Sequence, residues 1–120
     1  MQGRFFEEFD VEDEILTGER TVTDEDVRAF ARVSAVATGL VADTRLTRGT
    51  LIAFLGLEWS FRAPLRPGDS VRARLRVAET RPTSRPDRGL VRLAVDLLGA
   101  GDAVVQQGTW ALLVRRRGGG

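Results

Sequence analysis

The hydrophobic period of the chain changes near Thr50, and that switch constrains the fold more than any other feature. Upstream of it, Val27, Phe30, Ala31 and Ser34 recur at helical spacing while Asp26, Arg28 and Arg32 can face water. Thr23 precedes Asp24, Glu25 and Asp26, a hydroxyl cap followed by carboxylates suited to the positive end of a helix dipole. The pattern runs on through Ala35, Val36, Ala37, Leu40 and Val41, interrupted by Gly39, and predicts a helix over residues 24–42. Downstream, side chains alternate with period two, the spacing at which neighbours point to opposite faces of a sheet.

Four strands follow from that alternation. Leu55, Leu57, Trp59 and Phe61 alternate with Gly56, Glu58 and Ser60 until Ala63-Pro64 stops the ladder. A turn at Pro67-Gly68-Asp69 leads to Val71, Ala73, Leu75 and Val77, set against Arg72, Arg74 and Arg76. A long loop over 81–89 precedes Val91, Leu93, Val95 and Leu97, alternating with Arg92, Ala94 and Asp96. Gly99-Ala100-Gly101-Asp102 turns the chain into a last strand over 104–114, where Trp110 shares a face with Val104, Leu112 and Val114. A short extra strand is expected near 14–17. An antiparallel sheet with one apolar face must cover it, and the single long helix is the available cover. The expected class is α+β, a sheet wrapped around a central helix.

Composition narrows the function. At 120 residues the chain suits one domain, over 1–117, with 118–120 as a flexible tail and 115–120 solvated. No apolar run approaches the roughly 20 residues of a membrane helix, and the acidic start is unlike a signal peptide, so a cytoplasmic protein is expected. There is no cysteine and no histidine, hence no disulfide, no thiolate nucleophile, and no zinc set beyond carboxylates; no metal is expected. All 18 basic residues are arginine, yet the net charge is only +1, without the field that nucleic-acid binders use. Arg115-Arg116-Arg117 is too short to change that.

Gly3-Arg4-Phe5-Phe6-Glu7-Glu8-Phe9, Thr21-Val22-Thr23-Asp24-Glu25-Asp26 and Phe30-Ala31-Arg32-Val33-Ser34 resemble the N-terminal third of the MaoC-like branch of the hot-dog hydratases. Leu55-Gly56-Leu57-Glu58-Trp59-Ser60-Phe61, Ala63-Pro64-Leu65, Pro67-Gly68-Asp69, the loop over 81–89 and Val105-Gln106-Gln107-Gly108 continue the likeness over nearly the whole chain. The resemblance implies a hot-dog fold, an acyl thioester substrate carried on coenzyme A or on the phosphopantetheine of an acyl carrier protein, and no other cofactor. It also implies a homodimer, or a heterodimer with a related hot-dog subunit. Neither a nucleic acid nor a membrane is expected as a partner.

The departure from the family lies between Ser34 and Ala35. There the family carries a loop with an Asp-x-Asn-Pro-x-His pattern and a His-Gly pair opening the central helix; this chain runs straight into what resembles the helix's later part. Adding water to an enoyl thioester needs a carboxylate and an imidazole holding that water, and a backbone N–H polarising the carbonyl. Both side chains are absent, so no catalytic residue is assigned. Natural loss, an engineered deletion and an omitted stretch of sequence are the open origins.

The remaining candidates are binding residues. Ser34, Thr38 and Gly39 flank the junction and could line a tunnel, with a packing role as the alternative. Arg81, Arg85 and Arg88 could hold the phosphates of coenzyme A or of a phosphopantetheine arm, against a solvated loop. Arg72, Arg74 and Arg76 suit an acidic carrier protein but read better as a solvated sheet face. Glu58 reads as an outer-face residue rather than a buried base, and Asp43 as an exposed turn residue. Trp59 and Trp110 read as core or subunit-interface anchors. Three functions result: a thioester-handling protein of hydratase or dehydratase ancestry, a noncatalytic subunit or acyl-binding protein, and a tailoring cyclase that works by positioning.

Overall fold

A computed structural model describes residues 3–28 and 35–117. Thr23 does cap a helix: its hydroxyl accepts from the Asp26 N–H at 3.1 Å, and the Asp26 carboxylate accepts from the Thr23 N–H at 3.0 Å. This starts α1 (Asp24–Arg28), and α2 (Ala35–Asp43) supplies the far part of the predicted helix. Phe30, Ala31, Arg32 and Ser34 lie outside the described residues.

Strands β1 (Glu14–Leu16) and β2 (Arg20–Thr21) precede α1; the long strands are β3 (Leu51–Phe61), β4 (Ser70–Pro82), β5 (Arg88–Leu98) and β6 (Val104–Arg115). All pair antiparallel in the order β1-β4-β5-β6-β3, with β2 also on β4. β3 therefore crosses over to lie beside β6, although β4 follows it in sequence. Gly68, at φ 94°, makes the turn between them in backbone that side chains disfavour.

The predicted alternation is visible as burial. Val71, Ala73, Leu75 and Val77 of β4 and Val91, Leu93, Val95 and Leu97 of β5 are buried, as are Trp110, Leu112 and Val114 of β6. Ala37, Leu40 and Val41 of α2 join the same core, and α2 packs on β4. Each buried Val or Leu among them contributes about 1.5–3 kcal/mol by leaving water.

The arginines of the outer face are not a bare patch. Arg72 pairs with Asp102 at 2.7 Å, Arg74 with Asp96 at 2.9 Å, Arg76 with Glu12 at 2.9 Å and Arg92 with Glu79 at 2.7 Å. Asp96 also accepts from Gln107, which accepts from Arg62. Residues 116 and 117, expected within a solvated tail, make specific contacts. Arg116 pairs with Glu7, Arg117 donates its N–H to Glu7 and pairs with Glu8, and both guanidiniums lie over the rings of Phe6 and Phe5. Residues 116 and 117 thus clamp the N-terminal segment onto the sheet, whose β5 accommodates the Phe6 ring at Gly89 because that residue has no side chain.

Candidate functional site

β3 carries the feature that the core does not explain. Directly opposed residues of an antiparallel pair share a face. Phe54 opposes Leu112, Leu57 opposes Trp110, Trp59 opposes Gly108 and Phe61 opposes Gln106, so these β3 side chains point to the concave side with the buried row of β6. Leu51, opposite Val114, begins the same row. Two register shifts, between Leu51 and Ala53 and between Phe54 and Gly56, set this pattern. Leu55 has no opposed partner and Phe54 takes its place on the inner face, a correction to the simple alternation expected from sequence.

The inner row of β3 is nonetheless open. Phe54 is 49% exposed, Leu57 41% and Phe61 44%, while Trp110 and Leu112 beside them are 3% exposed. α2 packs on β4, and Leu51, Phe54 and Leu57 of the β3 row stay exposed. The result is an apolar strip along one edge of the concave face.

Aromatic rings form its floor. Trp110 stands 5.8 Å from Phe54 and 6.2 Å from Trp59, centroid to centroid, and Trp59 Nε1 donates to the buried Gln106 Oε1 at 3.0 Å. Trp59 fits because Gly108 is bare: a Cβ there would lie 1.9 Å from the Glu58 carbonyl oxygen and 2.5 Å from Trp59 Cε3. Trp110 Nε1 and Thr50 Oγ1 are buried without a hydrogen-bond partner among the described residues. Sequence reasoning placed both tryptophans in the core or an interface; it missed the open strip, because period-two alternation tells which residues share a face but not whether anything covers it.

The expected binding residues divide into two groups. Ser34 lies outside the described residues. Thr38 is exposed on α2, and the open side of Gly39 is filled by Arg20, since an added Cβ would meet Arg20 Nη1 at 3.2 Å. Arg20 in turn pairs with Asp26 of α1. Gly39 therefore leaves room for a guanidinium that pairs with α1. Arg81 and Arg88 belong to strands, as β4 runs to Pro82 and β5 starts at Arg88, leaving only 83–87 as loop. There the Thr83 hydroxyl accepts from the Arg85 N–H at 3.2 Å. Arg88 grips Asp87 through two bonds, at 2.9 and 3.0 Å, and this holds the Asp87 carboxyl below its ordinary 3.8. Glu58 faces outward opposite Thr109 and is exposed. No cluster of three or more His, Cys, Asp or Glu side chains suited to a metal occurs among the described residues.

No family model matches the chain, and no curated protein does. Solved structures do. A monoamine oxidase regulatory protein from Archaeoglobus fulgidus superposes with a TM-score of 0.81 at 21% identity, over 97% of each chain. The MaoC-like dehydratase from Rhodospirillum rubrum gives 0.75 at 26% identity, over 96% of this chain and 99% of that one. A conserved hypothetical protein from Mycobacterium tuberculosis with a double hot-dog fold gives 0.76 at 15% identity, this chain covering 44% of it. The fold is the hot-dog fold, and MaoC-like dehydratases are among its structural neighbours.

Proposed function

We propose that this hot-dog protein binds acyl thioesters, with the acyl chain lying on the open inner strip of β3. One observation carries the reading: Leu51, Phe54 and Leu57 face the concave side yet stay between 41% and 49% exposed, in a molecule that buries the matching residues of β4 and β5. Contiguous apolar surface of this kind marks a site for a ligand or a partner. The likeness to a MaoC-like dehydratase makes an acyl thioester the apolar ligand of choice. The ancestry is that of a hydratase or dehydratase. The chain has no histidine, so it cannot furnish the imidazole of a water-activating pair.

The test uses the intact protein. Calorimetric titration with a medium-chain acyl-CoA should give saturable binding, and crotonyl-CoA should be hydrated about a hundredfold or more slowly than by a complete hydratase. Hydration at the rate of a complete enzyme would sink the loss of the pair; absence of saturable binding would sink the ligand.

A second unit of the same fold is also proposed. β3 ends the sheet, and its outer edge bonds to no other strand among the described residues. A long unpaired edge is a template for another chain, and the double hot-dog neighbour joins two such units in one protein. Light scattering should return a dimer mass; a monomer at micromolar concentration would contradict it.

A further inference from the structure

The two tryptophans of the inner face differ in one respect. Trp59 Nε1 donates to Gln106, whereas Trp110 Nε1 is buried and has no acceptor among the described residues. A buried indole N–H usually finds a partner, because an unpaired one forfeits the hydration it had in the unfolded chain.

The neighbours of Trp110 explain why the sheet offers it nothing. It stands opposite Leu93 on β5 and Leu57 on β3, and the rings of Phe54 and Trp59 lie 5.8 and 6.2 Å away. Two places along β6 on the same face are Leu112 and the bare Gly108. Leucine, phenylalanine and glycine side chains have no acceptor, and an indole only donates. Trp110 also sits on a boundary. Leu93 and Leu112 are fixed in the core at 0% and 3% exposure, while Phe54 and Leu57 are half in water. Exposed side chains of that kind change rotamer within nanoseconds.

We propose that Trp110 is a positioning residue of the acyl site, its Nε1–H donating to the thioester carbonyl of the ligand once Phe54 or Leu57 swings aside. The proposal rests on the acyl thioester reading and adds the polar contact that fixes where along the strip the ligand stops. The surroundings select a carbonyl. The inner rows beside Trp110 hold Val91, Leu93 and Val95 on β5 and Phe54, Leu57 and Trp59 on β3, with no cation to balance a carboxylate or a phosphate. A hydroxyl would bring a proton that needs an acceptor of its own, and these side chains supply none. A carbonyl brings lone pairs alone. One polar group in an apolar site is enough to orient a ligand. This donor is a side chain of β6, so it differs from the helix backbone N–H that the family resemblance implies, and it does not depend on the region between Ser34 and Ala35. No bond is made or broken by the contact.

Two probes test it: octanoyl-pantetheine, a thioester, and S-octyl-pantetheine, the thioether of the same length without the carbonyl. The intact protein should bind the thioester about tenfold more tightly. Trp110→Phe should bring that ratio close to one. In the parent, labelled with 15N at the indole nitrogens, the thioester should move the Trp110 indole proton downfield and the thioether should not, the Trp110 signal being the one that Trp59→Phe retains. This resonance is read without altering Trp110, so it decides the matter even where Trp110→Phe does not fold. Equal binding of the two probes, a tenfold preference that survives in Trp110→Phe, or a Trp110 proton that responds alike to both would overturn the donor and leave the acyl reading standing. Binding of neither probe would overturn both.

Discussion

The two halves of the concave face are made from the same kinds of residue and end in opposite states. Over β4 and β5, Leu75, Val77, Leu93 and Val95 are wholly buried in the core that α2 joins. Over β3, Phe54, Leu57 and Phe61 point the same way and stay half in water. A hydrophobic pattern thus records which face a residue occupies, while burial depends on whether a second layer reaches it. The covered half holds the fold together; the open half is free to serve function.

That contrast can be broken by substitution. Leu75→Ala should cost about 2–5 kcal/mol in urea unfolding, since it leaves a cavity in the roofed half, whereas Leu57→Ala should cost under about 1 kcal/mol. Equal losses would mean that the strip is covered in solution. Gly108→Ala should cost about 1–3 kcal/mol or more, because the added methyl would strike the Glu58 carbonyl and the Trp59 ring. A neutral result would show that β3 is not seated on β6 through that bare position. Thr50→Val should raise stability by about 1 kcal/mol by removing a buried hydroxyl without a partner among the described residues; a loss would reveal a hydrogen bond that the hydroxyl makes.

The smallest effect concerns the clamp between the chain ends. The Arg117 N–H, and then Arg116, hold the Glu7 carboxyl below its ordinary 4.5. A lowered carboxylate stabilises the fold above its unfolded value and loses that contribution as pH falls through the folded one. Glu7→Gln should therefore melt slightly below the parent at pH 7, with the gap closing as pH falls below the ordinary 4.5 and through the folded value. Exposed pairs contribute little, about 1 kcal/mol or less. A gap that widens in acid would reverse the assignment.

Much of the fold was legible because it follows from local rules. The change of period at Thr50, the cap at Thr23 and the turns at Gly68 and Gly101 each act over a few residues, and each appears in the structure. The crossover that seats β3 beside β6 was not legible, since pairing of distant strands leaves no short-range mark. Bulges misled the reading in another way: Leu55 looked inward by simple alternation, and one extra residue moved that role to Phe54. The arginines on β4 read as solvated, but their carboxylates come from Glu12, Asp96 and Asp102, far along the chain. Of the expected binding residues, Arg81, Arg85 and Arg88 were visible as a run of charges, but not that β4 and β5 extend far enough to hold Arg81 and Arg88 as strand residues.

The most direct measurement follows the two tryptophans, Trp59 and Trp110, which lie in the floor of the open strip. Titrating a medium-chain acyl thioester should change their fluorescence saturably, and Phe54→Glu should abolish that change while leaving the unfolding free energy within about 1 kcal/mol of the parent. Fluorescence that ignores the ligand, or a Phe54→Glu variant that binds as the parent does, would contradict the assignment of the open half of the sheet to acyl binding.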